Sequence, residues 1–542
     1  TEKGRQLLEN QRPKNAVILA AGVGMRMVPI NTSAPKGLLE VNGQRLIERL
    51  IVQLHEVGIT DITIIVGFMK EQFEYLIDEY GVKLVVNPHY MDKNNLYSLS
   101  LVKDKINHTY IVPCDLWCRT NPFHAFELYS WYMVSEEKKA SSPVRVNRKM
   151  ELTATESSGN KMYGICYIKD EQAHMLQARL AEMGNNPKYD ESFWEDTLWI
   201  KGKSRMLVAA RVVDSQDVIE INTYEQLRDL DSQSYHLQSD AIEIIKEQFH
   251  VQSDDIKEIS VLKKGMTNRS FLFNVKGRKY IMRIPGEGTN QLIDRKQEAS
   301  VYQTIHGRGL CDDPVYMNDE NGYKITAFLE NVRTCDPLNE EDVRKCIKRL
   351  KEFHSMNLQV AHTFNIYEQI EYYESLWKGK ASIYRDYLKV KENVFSLKTY
   401  IDQTDHAWCL THIDAVPDNF LFYEKDGVEH VQLTDWEYAG MQDPHVDLAM
   451  FGIYSLYDKE QMDWLIDIYF DNQCDVQTRR KIYCYVAACG LLWSNWCEYK
   501  RELGVEFGEY SLRQYRYAKE YFQYAQKVGQ EANGREESWI IK

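Results

Sequence analysis

The stretch AVILAAGVGMRMVP (16 to 29) runs from an apolar strand into a glycine loop without a break, and this junction limits what the chain can fold into. AVILAAG (16 to 22) reads as a buried strand. After it come LIERLIVQLHEVGI (46 to 59) as a helix, DITIIVGF (61 to 68) as a strand, KEQFEYLIDEYG (70 to 81) as a helix and VKLVVNP (82 to 88) as a strand. TYIVPCD (109 to 115) is a further strand and ends in an acid. Such alternation predicts an α/β domain with a mostly parallel, Rossmann-like sheet and ligands at the strand C-terminal ends. The domain is expected to occupy 14–232 and to close after VIEINTYEQLRDL (218 to 230), with DSQSYHLQSD (231 to 240) supplying the linker at 233–240.

Residues 241–530 are organised differently. Strands are expected near EISVLKKG (258 to 265), SFLFNV (270 to 275) and KYIMRIP (279 to 285), then a helix at 294–307, then a largely helical remainder. A small sheet-bearing lobe leading into a helical lobe is the bilobal, protein-kinase-like α+β layout. The chain begins with Thr1, so 1–13 is expected to be the remnant of a preceding module or a flexible arm, and 531–542 a flexible tail.

A net charge of -14 leaves no broad basic field, which argues against nucleic acid as a partner. The 11 cysteines form no CxxC pair and are expected to be reduced thiols of a cytoplasmic protein. No apolar run approaches the roughly 18 residues of a membrane span, so no membrane insertion is expected.

Two segments carry chemistry. In LAAGVGMRMVPINTSAPKGLL (19 to 39), Gly22 and Gly24 let backbone amides approach phosphate, and Arg26 and Lys36 would neutralise a triphosphate and the charge developing as its α-phosphorus is attacked. Neither a Gly-Lys-Ser/Thr run nor the third glycine of a dinucleotide fingerprint follows. In LTHIDAVPDNFLF (410 to 422), His412, Asp414 and Asn419 have the order H-x-D-x-x-x-x-N, and QLTDWEYAG (432 to 440) places Asp435 at a strand end. Asp414 would receive a substrate hydroxyl proton, while Asn419 and Asp435 would hold magnesium. His412 is expected to brace the loop.

The first segment resembles the nucleotidyltransferases that activate sugar phosphates and phosphocholine, and NPHYMDKNNLYSL (87 to 99) is similar to the bacterial CTP:phosphocholine cytidylyltransferases. That resemblance implies a CTP site with Ala20, Ala21, Gly22, Gly24, Asn87, Asn94 and Ser98, and Arg26 and Lys36 as catalytic cations. It implies magnesium on Asp115, Glu220 and Asn222, where Asn222 stands in place of an acid. For phosphocholine it implies Tyr97 and Tyr163 together with Glu191, Phe193, Trp194 and Glu195 of YDESFWED (189 to 196). A quaternary ammonium has no N–H to donate and is held by ring faces and carboxylates.

The second segment resembles choline kinases and aminoglycoside phosphotransferases rather than protein kinases, since Arg283 replaces the strand lysine and Trp436-Glu437 the Phe-Gly. The resemblance implies ATP on Asn268, Arg283, Glu298 and Phe328, the last in the adenine-meeting segment ITAFLEN (325 to 331), and magnesium again on Asn419 and Asp435. Choline would meet Glu437 and the LLWSNW pair, Trp493 and Trp496. The implied protein is a bifunctional enzyme that phosphorylates choline with ATP and then makes CDP-choline from phosphocholine and CTP. Its rivals are ethanolamine as substrate, a sugar kinase fused to a sugar-1-phosphate nucleotidyltransferase, and a ligand-sensing protein with one degenerate domain. Oligomeric state is open.

Overall fold

The computed structural model describes residues 8–22, 24, 27–30, 34–200, 206–262, 268–285, 293–311, 313–404, 407–502 and 507–540, with the side chains at 268–269 and 531–540 outside that description. It forms two compact units, Thr1–Lys263 with Phe271–Arg278, and Lys264–Ser270 with Lys279–Lys542.

The first unit is built on seven strands: β1 (Asn15–Ala20), β2 (Ile62–Val66), β3 (Lys83–Val86), β4 (Thr109–Pro113), β6 (Trp131–Lys139), β7 (Gly159–Ile168) and β8 (Ala209–Val213). Their order is β8-β6-β7-β4-β1-β2-β3. β1 is parallel to both β2 and β4, and β7 alone runs against its neighbours. All five residues of β2 are buried, as a parallel strand covered on both faces requires. Helix α1 (Leu46–Glu56) supplies part of that cover through Leu46, Ile47, Leu50, Ile51 and Leu54, spaced to share one face, each contributing about 1.5–3 kcal/mol when buried. Because β1 is flanked by β2 and β4, the strand order reverses at β1, and the loop leaving its C-terminal end lies where open α/β sheets bind ligands.

Two local expectations change. Residues 70–81 are not one helix but a 3-10 turn (Lys70–Phe73) followed by a short helix (Tyr75–Tyr80) that stops at Gly81 with φ +70°. Of these residues only Phe73 and Leu76 are buried, too narrow an apolar stripe to dock three regular turns. The polar stretch at 231–240 is fastened to the unit. Asp231 accepts from the Asn42 amide at 2.7 Å, and the Ser234 hydroxyl donates to Glu40 O at 3.0 Å.

In the second unit β12 (Arg278–Pro285) pairs antiparallel with β14 (Lys324–Ala327), which pairs with β13 (Tyr316–Met317). Helix α6 (Arg295–Ile305) separates β12 from β13. Further along, β15 (Cys409–Thr411) pairs with β18 (Gly440–Gln442), and β16 (Phe420–Lys425) with β17 (Val428–Leu433). The 412–419 loop joins β15 to β16 and the 434–439 loop joins β17 to β18, so each is held at both ends by strands paired to those of the other. Helix α10 (His445–Tyr454) follows, and the long α12 (Val476–Glu502) is buried nearly all round from Lys481 to Glu498, which makes it a core helix. The last helix, α13, spans Glu509–Ile540 and so continues through most of the expected tail.

None of the 11 cysteines is in a disulfide, and only Cys311 and Cys474 are other than buried. Among the described residues no helix is long and apolar enough to cross a membrane.

Candidate active sites

In the first unit three chain segments meet at the end of β1. Strand β9 (Val218–Glu220) pairs with β5 (Leu116–Cys118) so that Glu220 faces Leu116, and the Ile221 amide donates to Asp115 O at 2.9 Å. This brings Asp115 beside Asn222, and Lys36 joins them. Its ammonium donates to Asn222 Oδ1 at 2.5 Å and to Asp115 Oδ2 at 3.2 Å. Gly24 lies over the Lys36 stem with φ +67°, and a Cβ there would come within 2.8 Å of Lys36 Cγ, so glycine is required for both reasons. Ala20 and Ala21 are buried, and Ala21 O accepts from the Phe68 amide at 3.1 Å. Arg26 lies outside the described residues.

The 87–99 segment is folded by its own polar side chains. Asn87 is buried, donates to Ser98 Oγ at 3.0 Å and accepts from the His89 amide at 2.8 Å. Asn94 caps the helix Asn95–Ser100 and donates to Glu191 O at 3.2 Å, while Asn95 accepts from the Trp194 amide at 2.8 Å. These bonds clamp the Asn95–Ser100 helix to the YDESFWED segment. Tyr97 has the Lys93 ammonium 4.9 Å from its ring centroid. Phe193 is exposed; Trp194 is fully buried against Tyr132, ring centroids 6.0 Å apart. Glu195 accepts from the Tyr132 hydroxyl at 3.0 Å. Burial pushes Glu195 up to about 7, with the Asp196 and Glu220 carboxylates adding to the rise against the Tyr132 hydrogen bond. Tyr163 is buried with the Lys161 ammonium 4.9 Å from its ring, and Glu191 points its side chain to solvent. Tyr132 escaped the sequence reading because it sits near the start of β6 in the apolar run WYMV.

In the second unit Asn419 donates its amide to Asp414 O at 2.9 Å and to Asp414 Oδ2 at 3.0 Å, leaving its carbonyl oxygen for a cation. Ile413 is held at φ +68° and Asp435 at φ +64°, and for a β-branched residue that backbone is strained. The strain is stabilised by Asp447, fully buried on α10, which accepts from the Ile413 amide at 2.7 Å, the His412 amide at 3.0 Å and His354 Nε2 at 2.9 Å. His412 Nε2 in turn lies 3.0 Å from Thr434 O and ties this loop to the one carrying Asp435. Burial, then the Asp435 and Glu437 carboxylates, push Asp414 up to about 8.

Arg283 donates to Glu298 at 2.9 Å and to Gly322 O at 3.0 Å, all within the buried interior. The Phe328 amide donates to Lys279 O at 3.0 Å, and the Asn268 side chain lies outside the description. A cavity of about 750 Å³ borders Glu437 and Tyr438 and is also lined by Asp294, Arg295, His362 and Gln369. Trp493 and Trp496 touch edge to face with centroids 5.4 Å apart, 7% and 5% exposed. They belong to a run of ring contacts from Tyr438 through Trp493 and Trp496 to Phe507, Tyr510 and Tyr454. Phe507 and Tyr510 lie three residues apart across the start of α13, whereas Tyr454 ends α10, and no spacing rule in the sequence joins it to them.

Residues 259–488 match the model of the choline/ethanolamine kinase family, and residues 16–125 match that of the MobA-like NTP transferase domain. The chain is 31% identical over 230 residues to a choline-phosphate cytidylyltransferase of Streptococcus pneumoniae, covering 40% of this chain and 96% of that protein. It is 27% identical over 259 residues to the LicA protein of Haemophilus influenzae, covering 46% of this chain and 95% of LicA. The solved choline kinase LicA of Streptococcus pneumoniae is 29% identical, with 52% of this chain and 98% of that one covered at a TM-score of 0.45.

Proposed function

Because the chain belongs, through its N-terminal part, to the choline-phosphate cytidylyltransferase family and carries a choline/ethanolamine kinase domain behind it, we propose that it makes CDP-choline in two steps. The C-terminal domain phosphorylates choline with ATP, and the N-terminal domain transfers the cytidylyl group of CTP to phosphocholine, releasing pyrophosphate.

The observation that carries the kinase half is the Asp414–Asn419 pair, with Asp435 on the linked loop. Asp414 orients the choline hydroxyl and takes its proton as the oxygen attacks the γ-phosphorus of ATP; Arg283, with Glu298, steadies the phosphates. Asn419 and Asp435 offer oxygen donors of the kind magnesium prefers, and the ion supplies charge neutralisation between the phosphates when bound. Trp493, Trp496 and Glu437 enclose the trimethylammonium end. Phe328 meets adenine from the strand end after β14, and Asn268 serves the phosphates.

In the cytidylyltransferase half, Lys36 and Arg26 neutralise the α-phosphate as phosphocholine attacks it. Gly22, Gly24 and the 20–21 backbone cradle the nucleotide, with Asn87, Asn94 and Ser98 shaping its far wall. Asp115, Glu220 and Asn222 offer oxygen donors for a magnesium ion, with one charge fewer than three acids, and Asp115 and Asn222 hold the Lys36 ammonium here. Tyr97, Tyr163, Glu191, Phe193, Trp194 and Glu195 form the choline end, where Trp194 backs the site from the core and Phe193 stands at its edge. The two activities are assigned to 14–232 and 241–530, although the compact units divide later, with residues up to Lys263 and Phe271–Arg278 in the first; both activities act on small molecules.

The 542-residue chain given choline, ATP, CTP and magnesium is expected to form CDP-choline. Asp414→Ala is expected to stop this from choline but not from phosphocholine, and Lys36→Ala to stop it from both while phosphocholine accumulates. Turnover of hexoses and hexose phosphates with none of choline would overturn the reading. The kinase family description also names ethanolamine, so ethanolamine in place of choline is the second arm of that assay.

A further inference from the structure

Glu298 is expected to serve Arg283 alone, yet its carboxylate accepts a second guanidinium. Arg295, one turn earlier on α6, donates to Glu298 Oε2 at 2.9 Å. The same Arg295 Nη1 lies 3.7 Å from Glu437 Oε2, and Arg283 Nη1 lies 3.9 Å from it. All four side chains are less than a tenth exposed. Lys324 adds a third cation, its ammonium 3.7 Å from Glu298 and donating to the Tyr302 hydroxyl at 2.6 Å. Thus a buried network links the phosphate-side pair Arg283–Glu298 with Glu437, two residues past Asp435.

A second feature marks Arg295. Gly322 sits at φ +75° in the turn before β14, and a Cβ there would meet Arg295 Cδ and Nε at 2.7 Å. The carbonyl of the same glycine accepts from Arg283. One residue therefore holds one arginine by a hydrogen bond and leaves room for the other.

We infer that Arg295 is a positioning residue of the phosphoryl transfer, joining Glu298 to Glu437 so that the ATP-phosphate side and the Asp435 loop keep one relative placement. This rests on the kinase reading above. Arg295 Nη1 stands between the two carboxylates on a planar, pre-organised guanidinium, whereas a lysine there would be a compact charge on a flexible stem that fixes their placement less closely. Displacement by about 1 Å of groups that act on the same phosphorus lowers the rate by on the order of 100-fold without weakening capture of the acceptor.

The test uses the full chain with choline, ATP and magnesium, and reads kcat and the choline KM separately. Arg295→Met is expected to lower kcat on the order of 10- to 100-fold with the choline KM within about threefold, and Arg295→Lys to recover part of the loss. Glu437→Gln is expected to lower kcat, and the double variant Arg295→Met/Glu437→Gln to be no worse than the more impaired single one, because both break one link. Cytidylyl transfer from phosphocholine by the same preparations is the internal control and is expected to be unchanged. A kcat for Arg295→Met equal to the parent's, or additive losses in the double variant, overturns the inference. If Arg295→Met does not fold, Arg295→Lys and Glu437→Gln decide it alone, and wild-type-like kcat in both overturns it. A parent that leaves choline unphosphorylated defeats the kinase reading instead.

Discussion

At the scale of single residues, the two indoles of LLWSNW differ in their surroundings. Trp493 donates its N–H to Met450 Sδ at 3.0 Å and faces Tyr438, whereas Trp496 lies between Trp493 and Phe507 with the Lys500 ammonium 5.4 Å from its ring. A ring face on a desolvated cation contributes about 0.5–2 kcal/mol, so Trp493→Leu is expected to raise the choline KM by roughly 2- to 30-fold with little change in the ATP KM. Steady-state kinetics with each substrate varied in turn checks it. Glu195 gives a pH prediction. Its folded pKa of about 7 stands above the ordinary 4.5. A carboxyl raised on folding favours the folded state below its unfolded pKa, and that contribution is lost as pH rises through the folded value. The first unit is therefore expected to lose about 3 kcal/mol between about pH 4.5 and 7, and Glu195→Gln, which still accepts from Tyr132, to flatten that fall. Chemical denaturation across pH measures both. Asp115, Asp414, Asp435 and the glycines were legible as candidates because each stands at a strand end or at a fixed step of a motif. The partner of Lys36 was not: Asn222 is 186 positions away, and its pairing follows from the β5–β9 register.

At the scale of elements, the 412–419 loop shows how a fold stabilises a conformation its sequence disfavours. Ile413 at positive φ costs on the order of 1–3 kcal/mol, and the Asp447 carboxylate offsets this through hydrogen bonds from three donors in a dry setting. Asp447→Ala would strand those buried donors. It is expected to destabilise the second unit by about 3 kcal/mol or more and to reduce choline phosphorylation at least 100-fold, while cytidylyl transfer persists. Thermal unfolding and the two assays on one sample test this. The motif H-x-D-x-x-x-x-N was readable because its spacing sets two side chains on one loop. Its support from α10 was not, since nothing local in DPHVDLA shows that Asp447 bonds back to the amides of His412 and Ile413. The strands flanking the first glycine loop were readable as apolar runs, whereas the 70–81 stretch read as one helix because its period resembles one while only two residues find a core to dock on.

At the scale of the whole molecule, two sites on one chain make and then consume the same diffusible compound. If phosphocholine passes through solution, two singly disabled chains complement each other. A mixture of Asp414→Ala and Lys36→Ala proteins is expected to convert choline to CDP-choline at about half the parent's rate per total protein, since each partner supplies one intact site. Coupled product analysis measures it, and a mixture as inactive as its components would exclude free exchange. The two-part organisation was legible because the helix–strand alternation gives way to a different layout near residue 240. The anchoring of 231–240 to Asn42 and Glu40 was not, as Asp and Ser in a polar stretch look the same whether they bond to backbone or to water.

The distribution of thiols gives the molecule built-in reporters. Cys114, Cys118 and Cys166 in the first unit are buried, while the second unit carries the half-buried Cys311 and Cys474. A maleimide dye added to native protein should therefore attach to the second unit first, and the slower labelling of Cys114, Cys118 and Cys166 should time how often the first unit opens. Mass spectrometry of the labelled peptides would then give each unit its own clock, without cutting the chain or adding a single cysteine.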